Sequence, residues 1–226
     1  MDIDIFNDLK TDMQAVEQAN KLPGTIHLDS TIMTIGMCSL QVTFGSACLS
    51  DARWLYDQYS LLSPVWLALS ASMPFTKGML INCDTRWPIM MGVFDDRNPR
   101  ERAEGCPVPS RWFNVPKFIS EDKRNLPYYN DLKGPTINKK ARKFLVKELA
   151  KEGIKLDKLL IDHYATLYSK EMITIFEKTA ERLKGRTDTS IFEAFHGSVS
   201  TNVRLKPPPS LTSDIGWRTE FRVMDA

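Results

Sequence analysis

The sequence has no G-x-x-x-x-G-K-[ST] run, which excludes a P-loop, and no G-x-S-x-G nucleophile elbow. It has no C-x-x-C pair either. Cys38, Cys48, Cys83 and Cys106 stand apart, with 3 histidines to complement them, so the spacing argues against a zinc site. The opening MDIDIFNDLKTDMQ is acidic and polar, unlike a signal peptide. A chain that is not exported meets a reducing compartment, so free thiols and a cytoplasmic location are expected. Long apolar runs are missing too: Leu61 to Phe75 is broken by Ser63, Pro64, Ser70, Ser72 and Pro74. That falls short of the ~20 apolar residues a membrane span needs. Nor is there an excess of one charge. Lys+Arg at 30 against Asp+Glu at 28 gives +2, no electrostatic footprint for a nucleic acid or a membrane surface. What is present is 226 residues with 42% hydrophobic types, enough for one sizeable core or two small ones.

Residues 1–22 are polar and helix-like, and Pro23-Gly24 breaks them. Thr25 to Asp29 and Cys38 to Phe44 alternate apolar and polar residues, the pattern of half-buried strands. It turns Leu40, Val42 and Phe44 to a core and Gln41 and Thr43 the other way. A helix starts at Ser50-Asp51, with Ala52, Leu55, Tyr56, Tyr59 and Leu62 as its stripe. Pro64 is placed to kink it, and Val65 to Ala71 to continue it as a buried second half. Met79 to Val93 reads as a strand in which Asp84 and Arg86 share a face opposite Thr85 and Trp87. Six prolines make 95–135 a loop region. Asn138 then caps a helix with the stripe Ala141, Phe144, Leu145 and Leu149, closed by Gly153. Leu156, Leu159, Leu160, His163, Tyr164 and Leu167 mark the next helix, and Met172, Ile175, Phe176 and Leu183 a third. Val203 to Lys206 is strand-like. So is Gly216 to Met224, with Trp217, Thr219, Phe221 and Val223 on one face and Arg218, Glu220 and Arg222 on the other. The order is α+β without regular β-α-β alternation, and it fits an antiparallel sheet with one apolar and one polar, ligand-facing surface.

A charge inside a half-buried strand needs a partner or a ligand. Arg218, Glu220 and Arg222 are open to two readings: an exposed, salt-bridged face, or a site for an anion and a metal. Guanidinium forks bind carboxylate or phosphate, and glutamate oxygen suits Mg²⁺. Asp95-Asp96-Arg97 reads as a surface ion-pair turn. His163 reads as a core histidine on an apolar stripe, and Lys139-Lys140 with Arg142-Lys143 as a solvated helix face.

Ile26 to Phe44 resembles the glutamate–cysteine ligase segment IYMDAMGFGMGCCCLQVTF, most closely at Leu40-Gln41-Val42-Thr43-Phe44. The resemblance continues in order through Ala52 to Gln58, Ala68 to Ala71, Asp84-Thr85-Arg86-Trp87 and Asp95-Asp96-Arg97. Ser110-Arg111-Trp112 is similar to the family's S-R-Y, and Phe192-Glu193 to the start of FENIQSTNWQ. Arg204 to Pro209 and Ser213 to Arg222 are similar to RFKPPP and SDIGWRVEFR. It covers residues 25–226 and leaves 1–24 as an N-terminal segment without a match. The family implies a glutamine-synthetase-like fold, an antiparallel sheet forming a funnel with flanking helices. It also implies ligation of the γ-carboxyl of L-glutamate to L-cysteine, driven by ATP through a γ-glutamyl phosphate, the first step of glutathione biosynthesis. By matched position, Arg86 holds glutamate carboxylate and Gln41 and Gly36 line its pocket. Glu220 binds Mg²⁺, and Arg222 is the catalytic and ATP-binding arginine. The sequence departs from the family at Thr34-Ile35-Gly36-Met37, at Ser39 where a thiol is expected, at Trp112 for tyrosine and at Ser200 for tryptophan. Family catalytic chains are much longer, with further Mg²⁺-binding glutamates in their N-terminal part. Two expectations follow: a fragment of the ligase whose site a missing region or a partner protein completes, or a degenerate, non-catalytic homologue serving as a binding or regulatory subunit.

Overall fold

The computed structural model describes residues 26, 28, 34, 36–76, 78–103, 109–130, 137–170, 190–210 and 212–226. Two compact units, Met1–Gly36 and Met37–Ala226, make up the chain. In the first, Ile26 and Leu28 are half-buried and belong to no strand, while the rest of the expected strand at 25–29 lies outside the described residues. The expected helix marked by Met172, Ile175, Phe176 and Leu183 also lies outside them.

The second unit is built on a three-stranded antiparallel sheet in the order β1 (Ser39–Gly45), β7 (Arg218–Asp225), β6 (Val203–Lys206). Period-two alternation decides its faces. Val203 and Leu205 are fully buried on one side, with Thr219, Phe221 and Val223 beside them. Helix α1 (Leu49–Leu69) covers that side. Its Ala52 and Tyr56, four residues apart and so on one helix face, are fully buried. Thr219 Oγ1 donates to the Ala52 carbonyl at 2.9 Å. Phe44 stacks on Tyr59 at 4.8 Å between ring centres, and Tyr59 meets Phe221 at 5.3 Å. Truncating Phe221, the buried ring of the three, costs about 3–5 kcal/mol.

Two charged residues of α1 point away from the sheet and hold the loop region. Asp57, fully buried, accepts the Ile119 and Ser120 amides at 2.8 Å each. Arg53 grips Asp157 with both terminal nitrogens, at 2.6 and 3.0 Å. Asp157 in turn caps α5 (Lys158–Leu167) by accepting from Leu159 and Leu160. The helix before it, α4 (Lys139–Lys151), is capped by Asn138 and closed at Gly153, whose φ of 68° favours glycine. No residue of α4 is buried, so its basic run is a solvated face, with Arg142 reaching Asp162 at 2.6 Å.

Four expectations are corrected. Met79 to Val93 is not a strand. After the short β2 (Phe75–Thr76) and β3 (Met79–Leu80), residues Arg86–Val93 form helix α2. Its buried residues, Arg86, Trp87 and Met90, fit helical spacing, and Pro88 sits in its first turn, where proline is tolerated. Leu40 is 51% exposed rather than core-facing, because the β1–β7 register shifts beside it. The second half of α1 is exposed, with Leu69 at 73% and Val65 at 53%. Phe144 is exposed too. The remaining elements are α3 (Pro99–Arg102), the parallel pair β4 (Trp112–Phe113) and β5 (Ser200–Thr201), a 3-10 helix at Pro127–Asn130, and α6 (Ser190–Gly197).

Candidate active site on the polar face of the sheet

The face of β6 and β7 turned away from α1 carries Arg204, Lys206, Arg218, Glu220 and Arg222. Strand register creates the cluster: Arg204 lies opposite Glu220, and Lys206 opposite Arg218. Glu220, buried, meets Lys206 Nζ at 2.5 Å and Arg204 Nη1 and Arg222 Nε at 3.5 Å each. Of the two readings of this charged face, its salt bridges are present but its exposure is not: Glu220 and Arg222 are 6% and 7% exposed.

A bulge brings Gln41 to Arg222. Leu40 pairs with Met224 and Val42 with Phe221, so Arg222 and Val223 together oppose Gln41. Arg222 Nε lies 3.5 Å from Gln41 Oε1, and its guanidinium carbon lies 5.5 Å from the centre of the Trp112 ring. Burial, then the neighbouring Arg204 charge, lower the Arg222 pKa to about 9, against the pull of Glu220.

Arg86 joins the group from α2. It donates from Nη2 to the Arg222 carbonyl at 2.7 Å, beyond the end of the β6–β7 pairing. Its backbone amide donates to Asp225 Oδ2 at 3.0 Å, and its Nε lies 3.6 Å from Asp225 Oδ1. Asp225 therefore caps α2 and balances the arginine at once, where Thr85 provides no side-chain cap. Burial lowers the Arg86 pKa, with Asp225 opposing. Gln41, Arg86, Glu220 and Arg222 thus come together as one contiguous set. Gly36 falls in the first compact unit, in a turn.

Sequence reasoning missed Arg204, Lys206 and Asp225 as members. The first two were legible: a cation at every second residue of Arg204-Leu205-Lys206 must share a face. Asp225 was not, because its role depends on α2. Two departures from the family, Trp112 and Ser200, prove to be direct partners in the β4–β5 pair. Both are buried, and the Trp112 ring is bracketed by Trp87 and Phe94 at 5.2 and 5.1 Å. Asp95 pairs with Arg97 at 2.7 Å in the expected turn, while Asp96 reaches Arg111 and Lys170. His163 is a buried core residue against Tyr56, as expected.

For a divalent metal, the fit is partial. Glu220 Oε2 is buried and makes no hydrogen bond among the described residues, though Arg204 Nη1 and Arg222 Nε balance its charge from 3.5 Å. Among the described residues no group of three or more His, Cys, Asp or Glu side chains converges on one point. One carboxylate suits a Mg²⁺ that takes most of its oxygens from water and phosphate. Among the described residues, no helix is long and apolar enough to cross a membrane.

A family model, glutamate–cysteine ligase, matches residues 1–226. The glutamate–cysteine ligase of Schizosaccharomyces pombe is 39% identical over 219 residues, 92% of this chain and 30% of its own. The glutamate–cysteine ligase catalytic subunit of Mus musculus is 34% identical over 241 residues, 100% of this chain and 36% of its own. The Neurospora crassa enzyme is 35% identical over 211 residues, 88% of this chain and 27% of its own. The chain spans about a third of the length of these relatives, and with a family match from first residue to last it belongs to the glutamate–cysteine ligase family.

Proposed function

We propose that this chain is the part of an ATP-dependent glutamate–cysteine ligase that holds the glutamate and positions phosphate, in a glutamine-synthetase-like sheet funnel with flanking helices. The observation that carries the reading is the meeting of Gln41, Glu220 and Arg222 on one sheet, with Arg86 of α2 bonded to the Arg222 carbonyl. In the reaction, a γ-carboxylate oxygen of L-glutamate attacks the terminal phosphorus of ATP and ADP leaves. The amine of L-cysteine then attacks the acyl carbon, phosphate leaves, and the nitrogen gives up a proton, yielding γ-glutamylcysteine. Mg²⁺, held in part by Glu220, supplies charge neutralisation at the phosphates when bound. Arg86 takes a glutamate carboxylate on the guanidinium edge turned away from Asp225. Arg222, its charge held in a dry setting and its Nε facing Gln41, is turned to the oxygens where negative charge accumulates. The site works in the cytoplasm, with substrate and metal ligands completed by a partner polypeptide or by the region that longer relatives possess.

A second reading, a non-catalytic binding or regulatory subunit, is favoured by one specific observation: Lys206, Arg204 and Arg222 already surround Glu220. Calorimetry with L-glutamate and Mg-ATP on the wild type and on Arg86→Ala tests the first reading. The expected result is glutamate binding that Arg86→Ala weakens by tenfold or more, about 1.4 kcal/mol. Absence of glutamate binding by the wild-type chain sinks the site assignment. Glutamate binding with no γ-glutamylcysteine formed, even with the remaining region of a longer relative supplied in trans, selects the second reading.

A further inference from the structure

Among the described residues sixteen large hydrophobics are exposed, and eight of them fall within Leu61 to Leu80. Five belong to the second half of α1: Leu61, Leu62, Val65, Trp66 and Leu69. Helical spacing gathers them into one broad stripe. A neighbouring side of the same half is apolar too. Leu67, Ala68, Ala71 and Pro88 line a groove of about 590 Å³ between it and the start of α2. Two polar contacts tie this half to the sheet side: Asn202 Nδ2 donates to Ser63 Oγ at 2.9 Å, and the Asp225 amide to Ser70 Oγ at 3.1 Å. A helix segment that is apolar all round needs cover all round. The hairpin that follows has the same character. Phe75 and Leu80 pair directly across β2 and β3, so their side chains share a face, and they are 63% and 74% exposed. A two-stranded hairpin with its apolar face in water is marginal by itself.

We infer that the second half of α1 and the hairpin adjoining it form the surface on which a second copy of this chain docks. Area and charge select that occupant. The eight residues expose on the order of 800 Å², about what each partner gives to a standard interface. From Tyr59 to Cys83 the sequence has one charged residue, Lys77. A surface almost without charge offers nothing for an acidic or basic partner to match, and it meets its own copy without like-charge repulsion. Charge depletion with aromatic and apolar enrichment is the composition of homodimer interfaces, and tryptophan, here Trp66, is the residue type that anchors them. Two-fold pairing sets each copy's stripe against the other's, so the assembly stops at two. The docking stands apart from the ligase reading, since it uses none of Gln41, Arg86, Glu220 and Arg222.

Sedimentation velocity on the whole chain, across about 0.1 to 100 µM and at low and high NaCl, reads the assembly directly. A dimer with a dissociation constant of about 1 µM or lower is expected. Salt should leave it intact, which separates it from any pairing through the lysines of α4. Leu69→Lys and Leu80→Lys should each weaken it tenfold or more, by placing an unpaired charge in a dry contact. Both residues are largely exposed in the single chain, so the variants keep the wild-type urea transition at concentrations where every protein is a monomer. A wild type that is monomeric at every concentration overturns the proposal. So does a dimer that both variants leave intact, or an assembly that grows past two. A monomer that captures the remaining region of a longer relative through Leu69 and Leu80 assigns the surface to that region, and overturns the proposal equally.

Discussion

At the scale of single residues, Asp225 is the side chain on which the arrangement of the others depends. Its two oxygens take the Arg86 amide and face the Arg86 guanidinium, and the side chain is 1% exposed. Removing one member of a buried pair leaves the other charge without compensation, at about 3–5 kcal/mol. Asp225→Asn keeps the shape and one acceptor but loses the charge. The expected outcome is a urea midpoint lowered by an equivalent amount at unchanged slope, together with weaker glutamate binding. A variant as stable as the wild type would show that Arg222's carbonyl alone holds Arg86. Trp112 and Ser200 teach a related point. Taken singly, each departure from the family looks like damage to a pocket wall. As direct partners in one strand pair they are a single change: tryptophan for tyrosine adds a little volume, serine for tryptophan removes far more, and the Trp112 ring packs instead between Trp87 and Phe94.

At the scale of elements, α1 was legible in its first half and misleading in its second. Ala52, Tyr56 and Tyr59 of the expected stripe lie on the sheet as periodicity demands, but its last member, Leu62, is exposed, and so are Leu61, Val65, Trp66 and Leu69. Hydrophobicity says what a residue avoids, not which neighbour covers it. Pro64 lies inside the helix, which continues to Leu69. Residue 64 has no amide to offer the Ser60 carbonyl, a loss that costs up to ~3 kcal/mol in a helix interior. Pro64→Ala should therefore raise stability by about 1–3 kcal/mol, read as a higher urea midpoint; a lower one would mean the helix needs its proline geometry to fit the sheet. The β6 and β7 faces were fully legible, because period-two alternation in Val203 to Lys206 and Thr219 to Val223 admits one register against a core. α2 was not. Met79 to Val93 is apolar apart from Asn82 and Asp84 to Arg86, so strand and helix periods both fit its apolar positions. The overlooked signal was Pro88, which a central strand does not accept.

At the scale of the whole molecule, three buried titratable groups set the response of the fold to acid. His163, packed against Tyr56, has its pKa lowered to about 4 by burial and then by Arg53. His196 is lowered to about 2. In the unfolded chain both titrate near 6.5, so between pH 6.5 and 4 the unfolded state binds protons that the native state refuses. Each histidine then withdraws stability as pH falls, by about 1.4 kcal/mol per pH unit. Asp57 works in the opposite direction. Burial outweighs its amide hydrogen bonds and raises its carboxyl from 3.8 to about 6, so between pH 6 and 4 the native state binds the extra proton and gains about as much per unit. One histidine therefore remains uncompensated, and stability should drop by a few kcal/mol from pH 6.5 to 4, before the ion-paired Asp95 and Asp157, whose pKa values are lowered, begin to titrate. The buried Nε2 of His163 has no partner among the described residues, so His163→Phe sacrifices no hydrogen bond there. In that variant His196 and Asp57 offset each other, and the urea midpoint should stay nearly level between pH 6 and 4 while the wild type falls. If the two proteins lose stability in parallel, His163 is already charged in the folded state and does not govern the acid limb.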